Sequence, residues 1–195
     1  TVKYRTLEAK MYHIKNDKRA QASTDLICAG LLACMKEKPF ARITITDVQR
    51  ASTVSRSTFY RNFDCLEDVL ALLCDRGFQA VFSEYNALPP ERRGSLAKAV
   101  FQYWFHNSAV LEALVQIHRT DILFDSLRRS SGLIEALQPM VDDPARFDYF
   151  VAIITSSMIG VLTVWVEHGK TETEDQMVQK LTSAFIEMAI LELPG

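Results

Sequence analysis

The chain has 195 residues, of which 48% are hydrophobic and 24% are charged. That length suits one large or two small domains, and the apolar fraction excludes collagen-like, low-complexity and disordered chains. Seven glycines and six prolines are few for a fold with many turns, so the composition favours helices. The four cysteines show neither Cys-x-x-Cys spacing nor paired histidines, which argues against a zinc site or a disulfide framework.

Charge is distributed unevenly along the chain. Residues 1–64 carry 12 Lys or Arg against 6 Asp or Glu, whereas residues 65–195 carry 10 against 18. A basic first third suggests a module that binds an anion, although chance also produces such an asymmetry. The chain starts at Thr1 without a basic and then apolar leader, so we expect either a cytosolic protein or one from which a segment was trimmed.

The spacing of apolar residues predicts helices along nearly the whole chain. Residues 1–17 are polar and basic, and we expect them to form an arm or a loosely held first turn. Helices are predicted at about 18–38, 46–52, 56–62, 66–86, 95–105, 109–116, 121–138, 144–168 and 173–193, separated by capping residues, proline and glycine. No useful stretch alternates with the period of a strand, so the predicted fold class is all-α.

Three helix caps are predicted at regular spacing in the basic part. Thr46 with Gln49, and Asp64 with Glu67, have the form of a capping box, while Ser55 begins the short helix between them. Two short helices joined by a tight turn fit between these caps. This is the spacing of a helix-turn-helix.

The second short helix has the composition of a helix that lies in the major groove of DNA. Guanidinium and hydroxyl groups contact guanine edges and phosphates, and small or polar residues at its start allow close approach. The side chains predicted to be accessible are Ser55, Arg56, Ser57, Thr58, Tyr60 and Arg61. Phe59 and Phe63 share the opposite face and are expected to pack under Val48 and Val54. The alternative is a solvated helix with two core phenylalanines.

The segment from Phe40 to Leu70 resembles the DNA-binding domain of the tetracycline-repressor (TetR) family of bacterial transcription regulators. The matching residues are Phe40, Thr44-Ile45-Thr46-Asp47-Val48, Val54-Ser55, Thr58-Phe59-Tyr60 and Phe63. The resemblance implies phosphate contacts from Thr44, Ser55, Thr58 and Tyr60, and contacts to bases or flanking phosphate from Arg56, Ser57 and Arg61. It also implies a DNA-binding domain over 1–64, with the arm, and a larger helical effector-binding and dimerisation domain over 65–195.

Three positions depart from the family pattern, of which Ser52, just before the turn, is harmless. Thr53 stands in place of the turn glycine, and a β-branched residue disfavours a positive φ. Leu66 stands in place of a lysine that the family commonly uses on phosphate, so we expect a salt dependence of DNA binding flatter by about one unit of slope. Lys15, Lys18 and Arg19, near the first helix, are candidates to compensate.

The stretch from Tyr149 to Val166 contains no charge over 18 residues, which is the lower limit for a membrane span. Its hydroxyl residues and its acidic flanks favour a helix buried in protein, and no membrane is expected.

The last two helices are predicted to form a homodimer. Small residues at Ser156 and Gly160 allow another helix to approach, and the final helix repeats Leu181, Phe185 and Met188 among its apolar residues. We expect both helices to pair with their copies in a four-helix bundle, the alternative being that they complete a monomer core. A two-fold dimer presents two recognition helices, so the operator is expected to be a pseudo-palindrome.

Aromatic residues are frequent in the middle of the chain, and most must be ordinary core. Proteins of the resembled type enclose an effector pocket there, and apolar walls with few polar groups suit one. The candidate lining residues are Trp104, His118, Phe124, Tyr149, Met158 and Trp165. We expect a small, largely apolar effector that lowers operator affinity by favouring a different spacing of the recognition helices.

The predicted function is a ligand-responsive transcription regulator, a repressor by resemblance, that binds double-stranded operator DNA as a homodimer in the cytoplasm. No cofactor or metal is expected. The alternative is a non-enzymatic adaptor or coactivator of the same architecture that has lost operator binding. An enzyme is not indicated, since the chain has no GxSxG, P-loop or metal-ligand spacing. Cys65, at the start of the fourth helix, is a candidate for a thiol of lowered pKa.

Overall fold

The computed structural model describes residues 12–15 and 17–191, apart from the side chain of Leu191. Within these ranges the chain forms ten α-helices, and the all-α fold predicted from the sequence is confirmed. The helices are α1 (Lys18–Glu37), α2 (Ile45–Ser52), α3 (Arg56–Asn62), α4 (Leu66–Ala87), α5 (Leu96–His106), α6 (Ser108–Gln116), α7 (Thr120–Arg129), α8 (Ser131–Leu137), α9 (Pro144–Glu167) and α10 (Glu174–Leu191). Short 3₁₀ turns at Phe40–Arg42, Pro90–Arg92 and Gln138–Met140 lie between them.

The helix predicted at 121–138 is two helices. Ser130 has an extended backbone, with φ −63° and ψ 114°, and separates α7 from α8. Serine and glycine are weak helix formers, and the run from Ser130 to Gly132 therefore interrupts the helix at little cost. Gly132 lies directly against Phe82 of α4, where a β-carbon would clash. The helical spacing of apolar residues continues across Ser130. The sequence pattern therefore did not reveal that the helix is interrupted there.

Helices α1 to α3 pack closely together at the N-terminal end. The Asp17 side chain caps α1 by accepting from the amide of Ala20 at 2.8 Å. Gly30 allows α1 to lie against α2, because a β-carbon there would meet the β-carbon of Ser52 at 2.8 Å. Val48 of α2 is completely buried in this contact. The unit is therefore held by close backbone approach as well as by apolar packing.

The cap of α2 is Thr44, and the prediction of Thr46 is wrong. The Thr44 hydroxyl accepts from the amide of Asp47 at 3.2 Å, while the Asp47 carboxylate accepts from the amide of Thr44 at 2.8 Å. Lys38 Nζ donates to the same carboxylate at 2.7 Å, and these bonds hold the pKa of Asp47 well below its usual range. The sequence fits a capping box in both registers, and the ionised carboxylate, a stronger acceptor than the Gln49 amide, selects the earlier one.

The cap of α4 is Cys65, and the prediction of Asp64 is wrong by one residue. Asp68, rather than Glu67, accepts from the backbone amides of Asp64 and Cys65, at 2.7 and 3.1 Å. Burial raises the pKa of the Cys65 thiol to about 11, so the expected lowering is wrong. Burial disfavours the charged thiolate more than the partial positive charge at the helix N-terminus favours it. Cys65 is therefore a neutral thiol at physiological pH.

The turn between α2 and α3 holds Thr53 in the left-handed region, with φ 57° and ψ 17°. A residue with a β-carbon is strained there by about 1–2 kcal/mol. We expect Thr53→Gly to raise the free energy of unfolding by about 0.5–1 kcal/mol, since the relieved strain exceeds the entropy that glycine adds to the unfolded chain. Urea denaturation followed by circular dichroism measures this difference.

Thr53→Val is the matched control, because valine keeps the branched β-carbon and therefore the strain. Equal stability of the glycine and valine variants would contradict the argument.

Helix α4 is the centre on which the next four helices pack. Helices α5, α6, α7 and α8 contact α4 directly, and α9 packs against α5, α6, α7 and α10. The rings of Phe78 and Trp104 meet edge to face at 5.3 Å in this core, where both side chains are buried.

Helix α9 is, among the described helices, the one long and apolar enough to cross a membrane by length and composition. A third of its apolar window is buried inside the protein. Thr155, Met158 and Leu162 face the core, as expected for a helix buried in protein, whereas Tyr149 and Ile153 are exposed. The exposed side leaves an apolar surface without a partner inside the single chain.

Candidate nucleic-acid interface

Helix α3 presents its polar side outward, as the sequence predicts. Ser55, Arg56, Ser57, Tyr60 and Arg61 are exposed. Thr58 is half-buried, and Thr44, at the start of α2, is exposed.

The opposite side of α3 is fixed to the protein. The rings of Phe59 and Phe63 are completely buried, with their centroids 5.7 Å apart. The Asn62 side chain is also buried and donates to the carbonyl of Thr58 at 2.8 Å. The helix is therefore held from behind while its polar groups remain accessible.

Three hydroxyl groups cluster at the beginning of α3. Ser55 caps the helix, and its hydroxyl accepts from the amide of Thr58 at 3.3 Å. The same oxygen lies 3.1 Å from the Ser57 hydroxyl and 2.9 Å from the Thr58 hydroxyl. Hydroxyl groups of this kind donate to phosphate oxygens or to base edges.

Two guanidinium groups complete this surface. Arg56 Nη2 lies 3.5 Å from the Tyr60 hydroxyl, and its guanidinium carbon lies 5.5 Å from the centre of the tyrosine ring. Within the described ranges, neither Arg56 nor Arg61 forms an ion pair with a carboxylate. Both positive charges are thus accessible to a polyanion.

The segment 12–15 lies beside the end of α3, which the sequence did not indicate. Tyr12 forms an antiparallel bridge with Phe63, and the His13 amide donates to the carbonyl of Asn62 at 2.9 Å. The preceding residues of the predicted arm, 1–11, are outside the described part of the chain. Lys15, Lys18 and Arg19 are exposed, and their contribution to DNA binding stays a prediction.

Asp75 of α4 ties this segment to α7. Its carboxylate accepts from the Tyr12 hydroxyl at 2.7 Å, from the Ser126 hydroxyl, and from Arg129 Nη2 at 3.2 Å. Burial, followed by the bond to Asp75, raises the pKa of Tyr12, so this phenol stays protonated. Three parts of the chain that are distant in sequence, the segment 12–15, α4 and α7, therefore meet at one carboxylate.

The C-terminal part of the chain matches a TetR family model described as "Transcriptional regulator C-terminal region" over residues 95–187. This match covers a part of the chain in which the sequence alone shows no motif. The helix-turn-helix described above precedes it in the chain. Residues 95–187 are therefore the C-terminal region of a TetR-family transcriptional regulator.

A solved structure shares the fold of this TetR-family chain. It is a TetR transcriptional regulator from Streptococcus agalactiae 2603V, with a TM-score of 0.57 at 20% sequence identity. The similarity covers 84% of this chain and 93% of the other. At this identity the likeness concerns the fold. No curated protein matches the chain.

The structure does not bring the six candidate effector residues of this regulator together around one space. Trp104, Met158 and Trp165 are buried, and Phe124 is half-buried. His118 is exposed at the left-handed turn that ends α6, and Tyr149 is 75% exposed on the outer side of α9.

Trp165 is held by contacts within the chain. Its ring stacks on Phe105 with centroids 5.1 Å apart, and its indole N–H donates to the carbonyl of Glu172 at 3.1 Å. Trp104, in contrast, has a buried indole N–H without an acceptor among the residues that the structure describes. The indole N–H of Trp165 therefore has a hydrogen-bond acceptor, whereas that of Trp104 has none among the described residues.

The five predicted dimer residues lie along one side of α9 and α10. Gly160, Leu181, Phe185 and Met188 line an open groove between these helices. Ser156, one turn before Gly160, is exposed. No atom lies within 4 Å of a β-carbon built on Gly160, so the space in front of it is open.

Proposed function

We propose that this regulator is a ligand-responsive repressor that binds a pseudo-palindromic operator as a homodimer. Residues 1–64 would bind double-stranded DNA in the cytoplasm, and residues 65–195 would dimerise and respond to a small, largely apolar effector. The observation that carries DNA binding is the exposed polar side of α3, where the guanidinium groups of Arg56 and Arg61 form no ion pair with a carboxylate that the structure describes.

The proposed contacts divide by chemistry. Thr44, Ser55, Thr58 and Tyr60 would donate hydroxyl groups to phosphates and set the position of α3 on the duplex. Arg56, Ser57 and Arg61 would contact bases or flanking phosphate, where a guanidinium group pairs well with guanine.

Exposed apolar area supports the homodimer. Ile153 and Val164 of α9 are 51% and 46% exposed, and Ile186, Met188 and Ile190 of α10 are 57 to 61% exposed. Large exposed apolar surfaces mark interaction sites in soluble proteins. A two-fold axis along this surface would cover it with the same residues of a second copy.

A titration of duplex DNA tests the DNA-binding part. The duplex is one that the protein itself selects from random sequences, and binding is followed by fluorescence anisotropy at several salt concentrations. Arg56→Ala is expected to weaken specific binding by about 5- to 150-fold, the value of a lost bidentate base contact. Arg128→Ala, an exposed arginine of α7, is the matched control and should bind as the parent protein does.

The adaptor alternative gives a different result. A protein that has lost operator binding would select no sequence from the random pool. Its residual DNA binding would be abolished by salt and would respond equally to Arg56→Ala and Arg128→Ala.

A further inference from the structure

The segment 12–15 lies against the carboxyl end of α3. The last carbonyls of a helix have no partner within the helix, and in α3 they include that of Asn62. The His13 amide donates to this carbonyl at 2.9 Å, and Tyr12 pairs with Phe63 in an antiparallel bridge. A part of the chain remote in sequence therefore supplies a backbone cap for the proposed recognition helix.

The side chains of this segment alternate as in a strand. Tyr12 and Ile14 pack against the core, while His13 and Lys15 are exposed. The centroids of the Tyr12 and Phe63 rings are 6.5 Å apart. Two side chains bury only a modest apolar area, so a single strong hydrogen bond is a sizeable part of what holds the segment.

Such a bond ties the segment to the larger helical part. The Tyr12 hydroxyl donates at 2.7 Å to Oδ2 of Asp75 in α4, while Oδ1 accepts from Ser126 and Arg129 of α7. A hydrogen bond to an ionised carboxylate is stronger than one between neutral groups. Because Ser126 and Arg129 fix the carboxylate, Tyr12 sets the position of the α3 cap relative to both α4 and α7.

We propose that Tyr12 is a positioning residue for α3. Its hydroxyl, bound to Asp75, keeps the segment 12–15 against the end of α3, so that this helix keeps its cap and its orientation relative to α4. The hold on α3 depends only on these contacts. Its consequence for DNA binding rests on the proposed function, because the groups of α3 reach base edges only when the helix is correctly placed in the major groove.

Tyr12→Phe tests the hold, because it removes the hydroxyl and keeps the ring beside Phe63. The amides of Phe59 and Phe63 are hydrogen-bonded to carbonyls one turn earlier. Hydrogen–deuterium exchange of residues 59–63 is measured by mass spectrometry without DNA. A bond to a charged group shifts an equilibrium by about 10-fold or more, so exchange is expected to be at least about 5-fold faster than in the parent protein.

Tyr85→Phe is the matched control. The Tyr85 hydroxyl, in α4, donates to the carbonyl of Gly94 at 3.1 Å, so this variant loses the same atom and one hydrogen bond without changing the segment 12–15. Exchange of residues 59–63 is expected to stay within about twofold of the parent. Equal exchange in Tyr12→Phe and Tyr85→Phe overturns the proposal.

A double-mutant cycle tests whether Tyr12 acts through Asp75. Asp75→Asn replaces the carboxylate with a neutral amide oxygen, and the bond from Tyr12 then has roughly half its strength. In this background Tyr12→Phe is expected to speed exchange of residues 59–63 only about twofold. A substitution that merely destabilises the protein gives the same factor in both backgrounds, and equal factors overturn the proposal.

DNA binding by the same variants separates this proposal from the proposed function. In a protein that selects a DNA sequence, Tyr12→Phe is expected to bind it about 3-fold or more weakly than Tyr85→Phe does, a typical size for coupling between distant groups. Faster exchange of α3 in a protein that selects no sequence supports the hold on α3 and contradicts the repressor. Specific DNA binding with unchanged exchange, or faster exchange with unchanged specific affinity, supports the repressor and overturns the role of Tyr12.

Discussion

Replacing Phe59 with alanine is expected to lower the free energy of unfolding by about 3–5 kcal/mol. Phe59 is completely buried, and its ring contacts Phe63 and the edge of Tyr60, with centroids 5.7 and 5.6 Å away. It is the larger of the two buried side chains of α3, the other being Asn62. Removing it leaves a cavity that a seven-residue helix has little means to fill. Urea denaturation followed by circular dichroism measures the loss.

The adjacent residue provides the matched control. Tyr60 is 43% exposed, so Tyr60→Ala removes a similar ring with a cost of about 1 kcal/mol or less in stability. The two variants therefore separate folding from binding. Phe59→Ala should weaken DNA binding through the loss of folded protein, and Tyr60→Ala should weaken it in a fully folded protein. A loss below about 1 kcal/mol for Phe59→Ala would show that α3 is anchored elsewhere.

The sequence predicted α3 well because the signals for this helix are local. Its bounds are those predicted, Ser55 is its cap, and Phe59 and Phe63 are buried as their spacing of four residues indicates. The same helical spacing places the hydroxyl and guanidinium groups on the side of α3 that faces away from these two rings. The family match does not test which of these groups contact DNA, so the contacts themselves stay predictions.

The caps of α2 and α4 show where local patterns become ambiguous. Thr44 and Thr46 both precede a residue able to complete a capping box, and the pattern alone does not rank them. The Asp47 carboxylate completes the box at Thr44, and Lys38 supports it from the end of α1 through an ion pair. Tertiary contacts of this kind are invisible in a window of four residues.

Long-range contacts account for the features that the sequence missed. Tyr12 and Asp75 are 63 residues apart, and nothing near either residue indicates their hydrogen bond. The effector candidates fail to converge for the same reason, since composition identifies aromatic residues but not the direction in which Tyr149 or His118 points. Leu66, taken as a missing phosphate contact, is buried in the core. Its side chain packs in the core, and comparison with a sequence motif does not reveal this.

Gly160→Arg is expected to convert the proposed homodimer into a monomer. The space in front of Gly160 is open in the single chain, so the arginine meets no atom there. Arginine is also a better helix former than glycine by up to about 1 kcal/mol, and the monomer should be at least as stable as the parent chain. In the proposed two-fold dimer, however, both copies of the charge would enter the apolar interface.

Burying an unpaired charge costs about 3–5 kcal/mol, which corresponds to a dimer dissociation constant raised by a factor of about 100 or more. Light scattering coupled to size exclusion should then give the chain mass of 22.1 kDa instead of twice that value. Gly94→Arg is the matched control, because the space at Gly94 is also open but lies outside the α9 and α10 groove. If light scattering gives the Gly160→Arg and Gly94→Arg variants the same mass in solution, the groove is not the dimer interface. Specific DNA affinity should fall with the dimer, since one recognition helix alone contacts only half of a pseudo-palindrome.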